Sequence, residues 1–91
     1  MVTLNTEVIN KLGIHGRPAA NLTMKAKEFE SAITIKNLSA DNPIPIDAKA
    51  IMRIMAAAIK NGNQVEISAE GSDEEQAAQS LVELFETGFG E

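Results

Sequence analysis

Three stretches of this 91-residue chain alternate apolar and polar side chains at period two, and that alternation restricts the fold more than any other feature. Val2, Leu4, Thr6 and Val8 form one set, Ile33 and Ile35 a second, and Val65, Ile67 and Ala69 a third. Successive strand residues point to opposite faces, so each of these strands buries one side only. The alternate residues Thr3, Asn5, Glu7, Thr34, Lys36, Glu66 and Ser68 assign the other side to solvent. A sheet patterned this way is antiparallel and needs cover on one face. Three stripes at helical spacing can supply it: Ala19, Leu22, Ala26 and Phe29; Ile51, Ile54, Met55 and Ala58; and Ala78, Leu81, Leu84 and Phe85.

Local punctuation places the elements. Pro18 is tolerated only in a first helical turn, so the first helix begins near residue 16 and runs to about Glu30. Asn42 to Pro45 is a turn, and Ile44 and Ile46 around Pro45 allow at most a short edge strand. Asp47 is expected to cap the second helix, and Asn61-Gly62 to stop it. Ser72, with Glu75 three residues later, reads as a capping box for the third. The predicted order is β-α-β-β-α-β-α, an α+β fold with a four-stranded antiparallel sheet and three helices on one face. No linker, repeat or low-complexity tract interrupts it, so residues 1–91 are expected to form a single domain.

A core of this size leaves no room for a deep enclosed pocket beside it, which puts any chemistry on the surface. The chain has no cysteine, excluding disulfides, thiolate nucleophiles and cysteine-ligated metals, and its one histidine excludes a histidine cluster. No metal and no cofactor are expected. No stretch approaches the roughly 20 apolar residues of a membrane span, and residues 1–10 lack the pattern of a secretion signal, so a cytoplasmic protein without membrane contact is expected.

The net charge of -5 argues against nucleic acid as a partner, but the signs are segregated along the chain. Residues 11–60 hold all eight basic residues and a local net charge of +4, whereas residues 61–91 hold eight acids and no base. A basic middle segment suits docking onto an acidic protein surface.

The single histidine lies in Leu12-Gly13-Ile14-His15-Gly16-Arg17-Pro18, between the first strand and the first helix. Pro18 pins the helix start and places His15 at or near the N-cap. There, unpaired backbone amides and the positive end of the helix dipole favour an anion such as phosphate. The backbone amides of Gly16 and Arg17 are the expected cradle, and the Arg17 guanidinium adds a permanent planar fork of donors. The same positive end disfavours imidazolium and leaves the ring neutral and nucleophilic. A nucleophile, a charge clamp and an open approach are what a covalent phosphoryl relay needs, and no second acid or base is at hand to activate water.

Gly13-Ile14-His15-Gly16-Arg17-Pro18-Ala19 resembles the G-[LI]-H-x-R-P-A signature of the HPr family, the histidine-containing phosphocarriers of the bacterial phosphoenolpyruvate-dependent phosphotransferase system. Lys49-Ala50-Ile51-Met52 with Met55, Gly62 to Ile67, and Glu70 to Ala77 extend the resemblance over nearly the whole chain. It implies the open-faced β-sandwich of that family. It further implies that His15 accepts a phosphoryl group from phosphorylated enzyme I as a pros-phosphohistidine supported by Arg17, and passes it to an enzyme IIA domain. The implied docking surface comprises Ile14, Gly16, Ala20, Met24 and Lys27 from the first helix region and Lys49, Ile51, Met52 and Met55 from the second. Met24 and Met52 also fall off the buried stripes of their helices, and methionine adapts to several partners. A monomer is expected.

The sequence departs from the family pattern at three places. Ala50 stands where many members have a regulatory serine, so no regulatory serine carries over. Leu12 stands where members often have Asn or Ser, removing a polar contact near the histidine. Asn37 to Pro45 looks a few residues longer than usual. Ala50 also makes an alternative reading reasonable, in which the chain belongs to a nitrogen-type, regulatory branch and signals through its phosphorylation state.

Overall fold

The computed structural model describes residues 1–90. The chain runs β1 (Val2–Glu7), α1 (Arg17–Lys27), β2 (Ala32–Asn37), β3 (Pro45–Asp47), α2 (Ile51–Ala56), β4 (Gln64–Glu70) and α3 (Glu74–Glu86), followed by a 3-10 turn at Gly88–Gly90. The strands order as β1-β4-β2-β3, all neighbours antiparallel. Leu4 lies opposite Ile67 and Ile67 opposite Ile35, so the period-two residues of three strands share one face. β3 carries Pro45 and sits at the sheet edge, where a missing N–H costs no ladder bond.

The helices cover the apolar face. α3 packs on β1 and β4, α1 against α3, and α2 between α1 and β3. Leu22, Ile33, Ile35, Ile54, Val65, Ile67, Leu81 and Phe85 are fully buried between the layers. Each such side chain contributes about 1.5–3 kcal/mol through removal from water. Phe89, in the final turn, meets Phe85 edge to face at 4.9 Å and closes the open end of the core.

Four local expectations need correction. α1 ends at Lys27, short of Glu30, because Glu28 and Phe29 donate back three residues and turn the chain toward β2. Asp47 belongs to β3 and is not a helix cap: its carboxylate accepts from the Lys49 amide at 2.9 Å, and Ala50 takes the N-cap position without a capping side chain. α2 stops at Ala56, well before Asn61, and Ala58 is exposed with a left-handed φ of 51° instead of extending the apolar stripe. The chain turns there because Ile59 is drawn into the core. The capping box of α3 does not form. Asp73 holds the N-cap, the Gly71 amide donates to Glu74, and the Ser72 hydroxyl donates to Glu30.

Candidate functional site

Residues 8–16 connect β1 to α1 along a neighbouring turn, residues 59–63. Val8 donates to the Asn63 carbonyl at 3.0 Å, Gly62 donates to the Val8 carbonyl at 2.8 Å, and the Asn61 side-chain amide donates to the carbonyls of Ile9 and Asn10 at 3.1 and 3.2 Å. At Gly13 the two segments touch. Its φ is +76°, and a Cβ there would lie 2.5 Å from the Ile59 carbonyl oxygen, so only glycine fits. That approach lets the Ile14 amide donate to Ile59 at 2.9 Å and sinks the Ile14 side chain to 1% exposure.

The next residue, His15, emerges into solvent. Gly16 is the N-cap of α1 with φ 61° and ψ -122°, and its carbonyl accepts the first helical bond, from Ala20 at 3.1 Å. No side chain caps this helix, and its first turn contains no acid. Pro18 has no N–H to satisfy. The amides of Gly16, Arg17 and Ala19 have no acceptor among the described residues. Arg17 is exposed and forms no ion pair among them. An exposed imidazole, a free guanidinium and unspent backbone donors therefore share one helix start, an arrangement suited to holding an anion at the ring.

The expected docking residues divide into three groups. Met24 and Met52 are 66% and 72% exposed on neighbouring helices, Gly16 and Lys27 are exposed, and Ala20, Ile51 and Met55 are half-buried at the edge of the same surface. Lys49 is half-buried, and its ammonium donates to the Phe29 carbonyl at 2.8 Å, so it is committed partly to holding α2 against the end of α1. Ile14 is a correction. Its side chain is part of the core and is out of reach of a partner, because the close approach at Gly13 turns it inward.

Arg53, next to Met52, stands outside the expected surface although it is exposed with no ion pair among the described residues; its place beside Met52 and four residues after Lys49 was the available signal. Ala50 is half-buried at the start of α2 and offers no hydroxyl. Leu12 is 82% exposed. Among the described residues, no helix is long and apolar enough to cross a membrane.

Comparison with known proteins shows the family and the fold. The family model described as PTS HPr component phosphorylation site matches residues 2–87. The chain is 37% identical over 91 residues to the phosphocarrier protein HPr of Cupriavidus necator, covering all of this chain and 98% of that protein. It is 38% identical over 89 residues to the multiphosphoryl transfer protein of Vibrio cholerae, covering 98% of this chain but only 22% of that much longer protein. Among solved structures, the crystal structure of HPr-C-His from Thermoanaerobacter tengcongensis superposes with a TM-score of 0.90 at 44% identity, covering all of this chain and 98% of the other.

Proposed function

The chain belongs to the PTS HPr family, whose members are phosphocarriers and not catalytic enzymes, and on that footing we propose that His15 takes a phosphoryl group from phosphorylated enzyme I and hands it to an enzyme IIA domain of the sugar phosphotransferase system. A ring nitrogen of His15 attacks the phosphorus of the donor through its lone pair. The bond from phosphorus to the donor breaks, its electron pair staying on the donor, as the new nitrogen–phosphorus bond forms. Transfer to enzyme IIA repeats the exchange with His15 as the leaving group.

The observation that carries this reading is that exposed His15 precedes a helix start whose amides and guanidinium meet no anion among the described residues. Gly16 and Arg17 supply backbone donors to the phosphoryl oxygens, and the Arg17 fork offsets their charge. Charge-assisted hydrogen bonds of this kind contribute about 1.5–3 kcal/mol each. The docking surface is Met24 and Met52, edged by Ala20, Ile51 and Met55 and rimmed by Lys27, Lys49 and Arg53. Apolar contacts inside a basic rim suit acidic partner surfaces and allow two partners to use one face in turn. The domain acts as a monomer in the cytoplasm, without metal or cofactor of its own.

The test is incubation with enzyme I, magnesium and phosphoenolpyruvate, followed by intact mass. One phosphoryl group is gained by the native chain and none by His15→Ala, and the adduct is acid-labile, unlike a serine ester. Retention of the adduct in His15→Ala overturns the assignment. Offering the phosphorylated chain to a sugar-permease enzyme IIA and to a regulatory one separates the sugar branch from the nitrogen-type branch.

A further inference from the structure

Five residues before His15, Asn10 is 5% exposed, and its side-chain amide donates to the Gly13 carbonyl at 2.6 Å. The same carbonyl accepts the His15 amide at 3.2 Å, and the Gly13 amide donates back to the Asn10 carbonyl at 3.2 Å. On the other side of the Gly13–Ile14 peptide, the Ile14 amide is held by Ile59 at 2.9 Å. Both polar groups of that peptide are thereby fixed, one by Asn10 and one by the 59–63 turn, immediately ahead of the histidine. Leu12 has no polar atom to contribute and points to solvent, 82% exposed.

The Asn10 side-chain oxygen is buried without a hydrogen-bond partner among the described residues. An apolar residue of similar volume would avoid that cost but would also lose the donor. The side chain is therefore placed as a donor to Gly13, and its effect falls on the backbone that aims His15.

We propose that Asn10 is a positioning residue for phosphoryl transfer at His15: it clamps the Gly13 carbonyl, orients the Gly13–Ile14 peptide and thereby fixes the direction in which the imidazole leaves the loop. The proposal rests on the reading of His15 as the phosphoryl acceptor, but the clamp can be measured without phosphate. The experiment compares Asn10→Ala and the volume-conserving Asn10→Leu with Ser31→Ala, which deletes a partly buried hydrogen bond at the opposite end of the sheet.

In the unphosphorylated protein, hydrogen exchange at the His15 amide is expected to quicken by about tenfold in both Asn10 variants and to stay unchanged in Ser31→Ala. In transfer from phosphorylated enzyme I, kcat is expected to fall by about tenfold in the Asn10 variants with KM within about twofold of the native value. Ser31→Ala should leave both constants alone while lowering thermal stability. Native kcat in folded Asn10→Ala and Asn10→Leu, or an equal kcat loss in Ser31→Ala, overturns the proposal. If the native chain is itself not phosphorylated on His15, the functional reading fails, while unchanged His15 exchange in the Asn10 variants would separately dispose of the clamp.

Discussion

The fold contains two turns from a strand into a long helix, at opposite ends of the sheet, and they carry opposite charge. Between β4 and α3 internal carboxylates are engaged by donors from around the turn: the Gly71 amide meets Glu74 at 3.1 Å, and Asp73 accepts the Glu30 amide at 2.9 Å, the Ser31 amide at 3.0 Å and the Ser31 hydroxyl, these three from the segment leading into β2. Glu74 also lies 3.0 Å from the amino-terminal ammonium. Neither helix has a capping side-chain hydrogen bond, but the first turn of α1 contains no acid, and the exposed imidazole and guanidinium there form no ion pair among the described residues. The same local topology thus gives a corner whose carboxylates are engaged at one end and an open corner with exposed basic groups at the other. The difference lies in a few side chains, which makes it accessible to substitution.

The largest expected effect comes from importing the acid of the second corner into the first. Arg17→Glu removes the permanent cation and offers the free amides an internal carboxylate. Phosphoryl uptake by His15 should fall by more than about 100-fold, the scale on which a lost transition-state donor acts. Stability should hold or rise by about 0.3–1 kcal/mol, because an acid in the first turn complements the helix dipole. Stopped uptake assays and urea midpoints measure the two. A drop in stability together with near-native uptake would show that the open corner is not an anion seat.

The neutralised corner makes the complementary prediction in pH. The Ser31 hydroxyl, the Glu30 amide and the Ser31 amide hold the Asp73 carboxyl below its ordinary value, and the Gly71 amide and the amino-terminal ammonium do the same for Glu74. A carboxylate depressed in the folded state adds stability that is complete above its unfolded pKa, about 3.9 for aspartate, and is lost as pH falls through the lower folded value. Asp73→Asn should therefore be less stable than the native chain at neutral pH, and the gap should close as pH drops below about 4. Urea midpoints from neutral pH down to the acid transition test this, and a gap independent of pH would remove Asp73 as the titrating staple. Phosphoryl uptake at neutral pH should be unchanged, since Asp73 lies at the far end of the sheet from His15.

The contrast between the corners also marks what the sequence could convey. The three long strands, the burial of Leu22, Leu81 and Phe85, and the exposure of Met24 and Met52 were legible because each depends on period and on nearest neighbours along the chain. The placement of His15 and Arg17 at a helix start was legible for the same reason: Pro18, three and one residues on, fixes where the helix begins. Contacts across the fold were not. Asp73 is claimed by residues more than forty positions earlier, which dissolves the local capping box. Ile14 reads as a loop residue beside a functional histidine until Gly13 is seen lying against Ile59. Ala58 adopts a left-handed φ without glycine because Ile59 must reach the core, a demand no local pattern records. Asn10 gave no signal, since its role depends on a carbonyl oriented by the 59–63 turn.

The smallest effect is the sharpest test of how the neutralised corner works. Were Ser72 the cap of α3, Ser72→Ala would cost about 1 kcal/mol, the usual loss on removing such a side chain. In the structure its hydroxyl instead donates to the Glu30 carboxylate at 3.2 Å in an exposed setting, so the substitution should change stability by less than about 0.5 kcal/mol. Ser31→Ala should cost more, about 1–3 kcal/mol, because it deprives a fully buried site of the hydroxyl that meets Asp73. Chemical denaturation of the two variants side by side decides the order. If Ser72→Ala proved the costlier, the start of α3 would be held by its own sequence neighbours, and both corners would be locally built. With Ser31→Ala costlier, the acidic corner is held by a segment that arrives from elsewhere in the chain, whereas the segment that reaches the basic corner, residues 59–63, brings no acid to the helix start.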